Sequence, residues 1–128
     1  MIVNAPISIG ELVDKLTILE IKLAEITDRE KLDNVRREYE TLLLAAPGGV
    51  LAGAEISTLR DKLKAVNAEL WQIEDEIRVK ERARAFDEAF IALARAVYVV
   101  NDRRAQLKRE INRVSQSELV EEKSYASY

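Results

Sequence analysis

The chain lacks both of the side chains that small proteins use most often for metal binding and catalysis. Its 128 residues include no cysteine and no histidine. Without cysteine there are no disulfides, thiolate nucleophiles or cysteine metal sites, and without histidine the commonest acid–base group near neutral pH is missing. The composition therefore favours a non-enzymatic protein with no catalytic residues, no metal and no cofactor.

Glycine and proline are also scarce, with four and two copies, so the chain has few natural breaks and its elements should be long. Hydrophobic residues make up 48% and charged residues 34%, which is typical of a folded, amphipathic protein. The formal net charge of −3 argues against general nucleic-acid binding. No apolar run is long enough to span a membrane and no signal peptide is evident, so we expect one cytoplasmic domain over residues 1–128.

The spacing of apolar residues predicts four helices. They are expected over about residues 8–26, 28–45, 54–84 and 87–115. The third and fourth carry sustained heptad spacing, which predicts a coiled-coil-like antiparallel hairpin about 45 Å long. The first two should form a shorter hairpin packed against it. The predicted fold is an elongated, all-α, antiparallel helical bundle.

Two local signals mark the helix starts. Ser8 and Glu11 have the spacing of a capping box, which would occupy the free N–H groups of Ile9 and Gly10 that could otherwise hold an anion. Thr27 begins a second such signal and predicts a break between the first two helices. A single continuous helix is the alternative, since no glycine or proline lies there.

Helix 1 is apolar on two sides. Five residues at helical spacing form a stripe that we expect to face the long hairpin: Leu12, Leu16, Leu19, Leu23 and Ile26. Ile18 and Ile21 lie on the opposite side with Val13 at its border. A helix that is apolar on both sides is buried on both sides. Either the C-terminal tail, docked through Leu119 and Tyr125, or helix 1 of a second copy would cover this strip, and we favour a homodimer.

The tail, residues 117–128, has no helical stripe. We expect it to be docked on the bundle or on a second copy through three apolar residues, Leu119, Val120 and Tyr125.

Arg104 is the clearest anomaly, because it falls where the apolar stripe of helix 4 requires a hydrophobic residue. Aligning helices 3 and 4 predicts a polar cluster at that level, consisting of Asn67, Glu74, Tyr98, Asn101 and Arg104. The cluster could bind an anion or a small molecule between the helices. It could equally be a structural layer that fixes helix register, or Arg104 could reach water where the bundle splays.

Other charged groups have weaker patterns. Glu11 and Asp14 have the spacing of acidic metal-binding motifs in helical pyrophosphatases, but solvated helix faces explain them better. Helix 4 ends in basic residues that we expect to pair with acidic neighbours: Arg103, Lys108, Arg109 and Arg113.

Several stretches together resemble an uncharacterised family of small bacterial and phage proteins, a domain of unknown function. They are "APISIGELVDKLTILEIK", "KLDNVRREY", "LWQIEDEIR", "LARAVYVVNDRRAQLKREIN" and the closing "EEKSYASY". The resemblance implies no catalytic residue, and it implies a link to surface-polysaccharide synthesis. The function best matched to the sequence is a self-associating interaction or assembly module. The alternative is a small-ligand or nucleotide-type binding protein, or an enzyme of surface-polysaccharide metabolism, that uses the Arg104 cluster.

Overall fold

The computed structural model describes residues 1–128 and contains four α-helices and no strand. Helix α1 spans Ile9–Glu25, α2 spans Arg29–Ala45, α3 spans Ala54–Arg82 and α4 spans Glu88–Ser115. The all-α fold with two antiparallel hairpins is therefore confirmed. None of the four helices combines the length and the apolarity that crossing a bilayer would require.

The predicted break between α1 and α2 is present, but a different residue caps the second helix. Asp28 is the N-cap, and its carboxylate accepts a hydrogen bond of 2.9 Å from the Lys31 amide. The predicted cap at Thr27 was wrong by one residue. Ile26 and Asp28 both have extended backbone angles, which any residue adopts, and so the chain turns here without glycine or proline.

Helices α3 and α4 form the long hairpin. Its seam contains two buried apolar groups. One joins Ile56 and Leu63 of α3 to Ile111 of α4, and the other joins Val66 and Ile73 to Val100. The turn that connects the helices passes through Arg84, whose φ of 51° is left-handed.

Helix α1 lies between α2 and the long hairpin. It contacts all three other helices, whereas the backbone of α2 approaches α1 alone, and Val35 is the only buried residue of α2. Val13 of α1 is fully buried against Ile56, Leu63 and Ile111. The molecule therefore has three layers, in the order α2, α1 and the α3–α4 hairpin.

This arrangement corrects the assignment of the two faces of α1. Val13 and Ile21 are 0% and 7% exposed, so they are buried inside the chain, and Ile18 is partly buried. The leucine stripe was expected to face the long hairpin, yet the α1 residue in the buried core of the hairpin is Val13, and Asp14 and Thr17 bond to Asn67 of α3. A helical wheel gives the angle between two apolar faces but does not say which partner covers each.

The tail folds back along α4, but not through its apolar residues. Leu119, Val120 and Tyr125 are 46%, 51% and 84% exposed, so the prediction that they dock on the bundle was wrong. Polar contacts hold the tail instead: Lys123 Nζ and the Tyr128 hydroxyl both donate to Asp102, each at 2.6 Å. The seam of the hairpin is already covered by α1, and so α4 offers the tail charged side chains rather than an apolar groove.

Candidate functional site

A buried carboxylate on α1 organises the polar interior. Asp14 is 1% exposed. Its Oδ1 accepts hydrogen bonds from Asn67 Nδ2 of α3 at 2.9 Å and from Arg104 Nε of α4 at 3.0 Å. Its Oδ2 accepts from the second guanidinium nitrogen, Nη2, at 2.5 Å. A charge this deeply buried is tolerated only with such partners, and so the ion pair fixes α1 against both helices of the hairpin.

Lys108 extends the network to the tail. Its side chain is 8% exposed, and Nζ lies 2.8 Å from Glu11 Oε2 of α1 and 2.7 Å from Glu121 Oε2 of the tail. Asp14 Oδ2 is further away, at 3.9 Å. We call the five charged residues, Glu11, Asp14, Arg104, Lys108 and Glu121, the Asp14 cluster. It holds three carboxylates and two cations, and therefore one net negative charge.

Two neutral residues complete the interior. Thr17 is fully buried, and its hydroxyl donates to the Asp14 carbonyl at 2.8 Å and accepts from Asn67 Nδ2 at 3.0 Å. No buried side-chain nitrogen or oxygen in the chain lacks a hydrogen-bond partner. The network is therefore internally complete, as a buried polar layer must be to stabilise a fold.

Both cations are held in their charged form. The hydrogen bonds that Arg104 donates to Asp14 raise the pKa of Arg104, against the opposing effect of desolvation. For Lys108 burial is the largest single influence and would lower the pKa, but the hydrogen bonds to Glu11 and Glu121 outweigh it, so the pKa is raised. Neither cation titrates near neutral pH, and neither is available as a general base there.

The start of α1 is fastened to the end of α4. The Ser8 hydroxyl accepts from the Glu11 amide at 3.0 Å, as predicted for an N-cap. The amides of Ile9 and Gly10 donate to Ser117 Oγ at 3.1 Å and to Asn112 Oδ1 at 2.7 Å, which leaves them unavailable to an anion. The second hydrogen bond of the capping box, from the Ser8 amide to the Glu11 carboxylate, was predicted wrongly, because that carboxylate pairs with Lys108 instead.

Gly10 permits this close approach. A Cβ atom there would lie 2.5 Å from the Lys108 carbonyl oxygen and 2.8 Å from Asn112 Oδ1. Any side chain would therefore push α1 away from α4 at the level of the Asp14 cluster.

Two open clefts flank Arg104. The larger has a volume of about 1230 Å³ and lies between α4 and the tail, with Tyr98, Arg104, Lys108 and residues 121–128 on its walls. The second is a shallow cleft of about 450 Å³ between α1, α3 and α4, lined in part by Ile21 and Trp71. Arg104 and Asn101 line both.

The predicted polar cluster is only partly brought together. Asn67 and Arg104 meet at Asp14, and Asn101 Oδ1 accepts from Arg104 Nη1 at 3.5 Å. Glu74 pairs with Arg78 on its own helix and reaches only the shallow cleft. Tyr98 faces the tail, with its ring 5.1 Å from that of Tyr128 in an edge-on arrangement. That any of these residues binds a ligand stays a prediction.

Sequence reasoning did not place Asp14, Thr17, Lys108 or Glu121 in the site, although the expected pairing of Lys108 with acidic neighbours is confirmed. Asp14 and Thr17 lie on the same side of α1 as Ile21, which the wheel had placed on the outside. Had that side been assigned to the hairpin, a carboxylate opposite Arg104 would have been the obvious partner. No local signal in the sequence pairs Glu121 with Lys108.

Comparison with known proteins shows the family and nothing more specific. No curated protein and no solved structure matches the chain. A family model does match, and it covers residues 3–128, which include all four helices and the whole tail. The chain therefore belongs to the family of unknown function DUF6165.

Proposed function

We propose that the chain is a non-enzymatic assembly module that self-associates through the free end of its long hairpin. The observation that carries the proposal is where the polar contacts between α1 and α3 stop. The hydrogen bonds and ion pairs between these two helices involve Arg60, Lys64 and Asn67 of α3 and no residue beyond Asn67, so the turn end of the long hairpin extends past them.

This free end, residues 79–91, exposes large apolar side chains. Val79, Phe86 and Ile91 are 58%, 54% and 53% exposed. The Phe86 ring packs edge-on against Phe90, with 5.1 Å between ring centres, so it is held in place rather than free to fold back. Ordered aromatic and branched side chains on a protruding arm are typical of protein contacts.

The partner that best fits the arm is a second copy. The last turns of α3 carry Arg78, Lys80 and Arg82, and Asp87 and Glu88 stand at the start of α4. Lys80 pairs with Asp87 at 3.0 Å and Arg78 pairs with Glu74 within the chain, which leaves Arg82 and Glu88 for a partner. A two-fold axis that laid α3 of one arm on α4 of the other would bring the basic edge of each copy to the acidic edge of its partner. This replaces the predicted interface on α1, because Val13 and Ile21 are buried within the chain.

The pairing inside the Asp14 cluster supports a structural role for Arg104. Asp14 accepts from Nε and Nη2 of its guanidinium, and Lys108 is held between Glu11 and Glu121. Together with Asn67 of α3, the cluster thereby joins α1, α3, α4 and the tail into a base from which the arm extends.

The test is Phe86→Glu combined with Ile91→Glu, followed by multi-angle light scattering over a concentration series. We expect a wild-type dimer and a monomeric variant with unchanged helicity. Leu44→Glu, at a residue 87% exposed on α2, is the matched control and should stay dimeric. A wild type that is monomeric at high concentration, or equal dissociation of both variants, would count against the hairpin arm.

A second candidate function is the binding of a small ligand next to Arg104. The large cleft between α4 and the tail supports it, because it combines cations with three tyrosine rings, Tyr98, Tyr125 and Tyr128. Concave sites with aromatic walls and a few polar groups are typical of small-molecule binding. A thermal-shift screen with nucleotides, sugar nucleotides and phosphorylated metabolites tests it, and no shift with any of them would remove this candidate.

A further inference from the structure

Arg104 lines the large cleft, and some of its hydrogen-bond donors have no partner in the fold. A guanidinium carries five N–H groups. Asp14 accepts from Nε and Nη2, and Asn101 accepts from Nη1, which together account for three of them. The side chain is 29% exposed and lines both the large and the shallow cleft, so two donors remain for a bound molecule.

A carboxylate of the tail forms an ion pair with the neighbouring cation, Lys108. Lys108 is paired with Glu11 from α1 and with Glu121 from the tail, at 2.8 and 2.7 Å. Glu11 belongs to a packed helix, whereas Glu121 is 54% exposed on a segment without secondary structure. Glu121 also acts electrostatically on Arg104. The chain itself therefore already supplies an anion to Lys108, from its least constrained segment.

The other end of the cleft is aromatic. Tyr98 and Tyr128 meet edge-on at 5.1 Å, and the Tyr128 hydroxyl donates to Asp102 at 2.6 Å. Tyr98 precedes Arg104 by six residues, which is about 9 Å along a helix. The cleft thus contains an aromatic ring and a pair of cations, and a small ring compound could span the distance between them.

We propose that this cleft binds a phosphate monoester carried on a ring, and that Glu121 is a built-in competitor for the phosphate position. The phosphate replaces the Glu121 carboxylate on Lys108 and accepts from the remaining donors of Arg104, and the ring packs against Tyr98. Replacement is required because the Asp14 cluster already has one net negative charge, and a phosphate monoester adds nearly two more at neutral pH. The proposal rests on the second candidate function and names its ligand class.

The tail should detach from α4 easily. All residues from 118 to 128 are exposed, and contacts such as Arg109 with Glu122 are exposed pairs, which contribute little to stability. Lys108, the partner of Glu121, is the buried side chain among the residues that hold the tail. When a binding site is open for only a fraction of the time, its apparent affinity falls by that fraction. Removing the competing carboxylate should therefore strengthen binding without any new contact.

The experiment compares wild type, Glu121→Gln and Glu118→Gln by isothermal titration calorimetry with three probes. Glu118→Gln removes the same charge from an exposed tail residue that does not line the cleft. The probes are inorganic phosphate, AMP and glucose 6-phosphate. We expect Glu121→Gln to bind a ring-bearing probe about tenfold more tightly than wild type, as it would if the tail were closed roughly nine-tenths of the time, with Glu118→Gln unchanged.

The outcomes separate the parts of the proposal. Tighter binding of AMP identifies a nucleobase as the ring, and tighter binding of glucose 6-phosphate identifies a sugar. If inorganic phosphate binds as tightly as both, ring recognition is overturned. If the three proteins bind a probe equally, the competitor role of Glu121 is overturned while the ligand-binding function survives. If no probe binds to wild type or to Glu121→Gln, both are overturned.

Discussion

Asp14 and Arg104 lie 90 residues apart in the chain and form a two-pronged ion pair between α1 and α4. Their exposures differ greatly, since the Asp14 side chain is 1% exposed and the Arg104 side chain is 29% exposed. Removing the guanidinium would therefore leave a buried charge without its main partner, whereas removing the carboxylate would leave a charge that water can still reach. This asymmetry determines what each substitution should do.

Arg104→Leu should destabilise the protein by about 2–4 kcal/mol, because it leaves a buried carboxylate without its main partner. A register role without a buried partner would instead make the substitution neutral or stabilising. The double variant Asp14→Leu with Arg104→Leu should recover most of the loss, since apolar replacement of a whole buried pair is often close to neutral. Urea unfolding of both variants measures the two effects.

Arg103→Leu is the matched control. Arg103 is adjacent in sequence, and it pairs with Glu69 at 3.2 Å where both side chains are about half exposed. Such surface pairs contribute about 0–1 kcal/mol. If Arg104→Leu proves no more harmful than Arg103→Leu, the Asp14 pair does not hold α1 in place.

Gly10→Ala should cost about 1–3 kcal/mol, because its methyl group would meet the Lys108 carbonyl oxygen at 2.5 Å and helix backbone cannot easily move aside. For a chain of this size the melting temperature should fall by roughly 3–5 °C per kcal/mol. Gly48→Ala has open space around its new methyl group and should change the melting temperature little. A calorimetric scan in which the two variants melt together would contradict the close approach of α1 to α4.

Periodicity was enough to predict the helices and the long hairpin, because heptad spacing records which residues of α3 and α4 face each other. It was not enough to orient α1. Val13 was placed at the border of an outward-facing strip and Ile21 within it, yet both are buried, because α1 lies between α2 and the hairpin. Arg104 was identified because it interrupts the apolar stripe of α4. Glu121 lies in a tail without any apolar stripe, and it contacts Lys108 only because the tail folds back.

Helix α2 should open separately from the rest of the molecule. Its backbone approaches α1 alone, and its only buried residue is Val35. Local stability follows the number of buried contacts. Amide hydrogen exchange in α2 should therefore need a smaller opening free energy than exchange in the middle of α3, around Leu63 and Val66.

Val35→Ala gives this prediction a second arm. It should speed exchange throughout α2 while leaving the protection of α3 nearly unchanged, because α3 has its own seam with α4. Leu63→Ala, at a fully buried site of that seam, should instead weaken protection everywhere. Uniform exchange across α2 and α3 in the wild type would mean that all four helices unfold together.

The attachment of the tail end at Asp102 should be lost at both extremes of pH. The hydrogen bond from Lys123, and after it the one from Tyr128, lowers the pKa of Asp102 in the folded state. A depressed carboxyl pKa means that the contact is fully present above the unfolded value of about 3.9 and is lost as pH falls through the folded pKa. The same contact with Asp102 raises the pKa of Tyr128 above its ordinary value. This stabilisation is fully present below about pH 10 and is lost as pH rises through the folded pKa.

Amide chemical shifts of residues 119–128, followed by NMR from acid to alkaline pH, would report the release directly. Asp102→Asn is the decisive variant, because it keeps the size of the side chain and removes its charge. Its tail should already resemble the acid-released wild type at neutral pH, and the acid transition should vanish. Lys108, which binds Glu121 nearer the start of the tail, is unchanged in this variant, so the shift of the Glu121 amide should move less than that of Tyr128. A tail whose shifts ignore both pH and the loss of Asp102 would show that these exposed contacts do not hold it, and that the wall of the large cleft is open in solution.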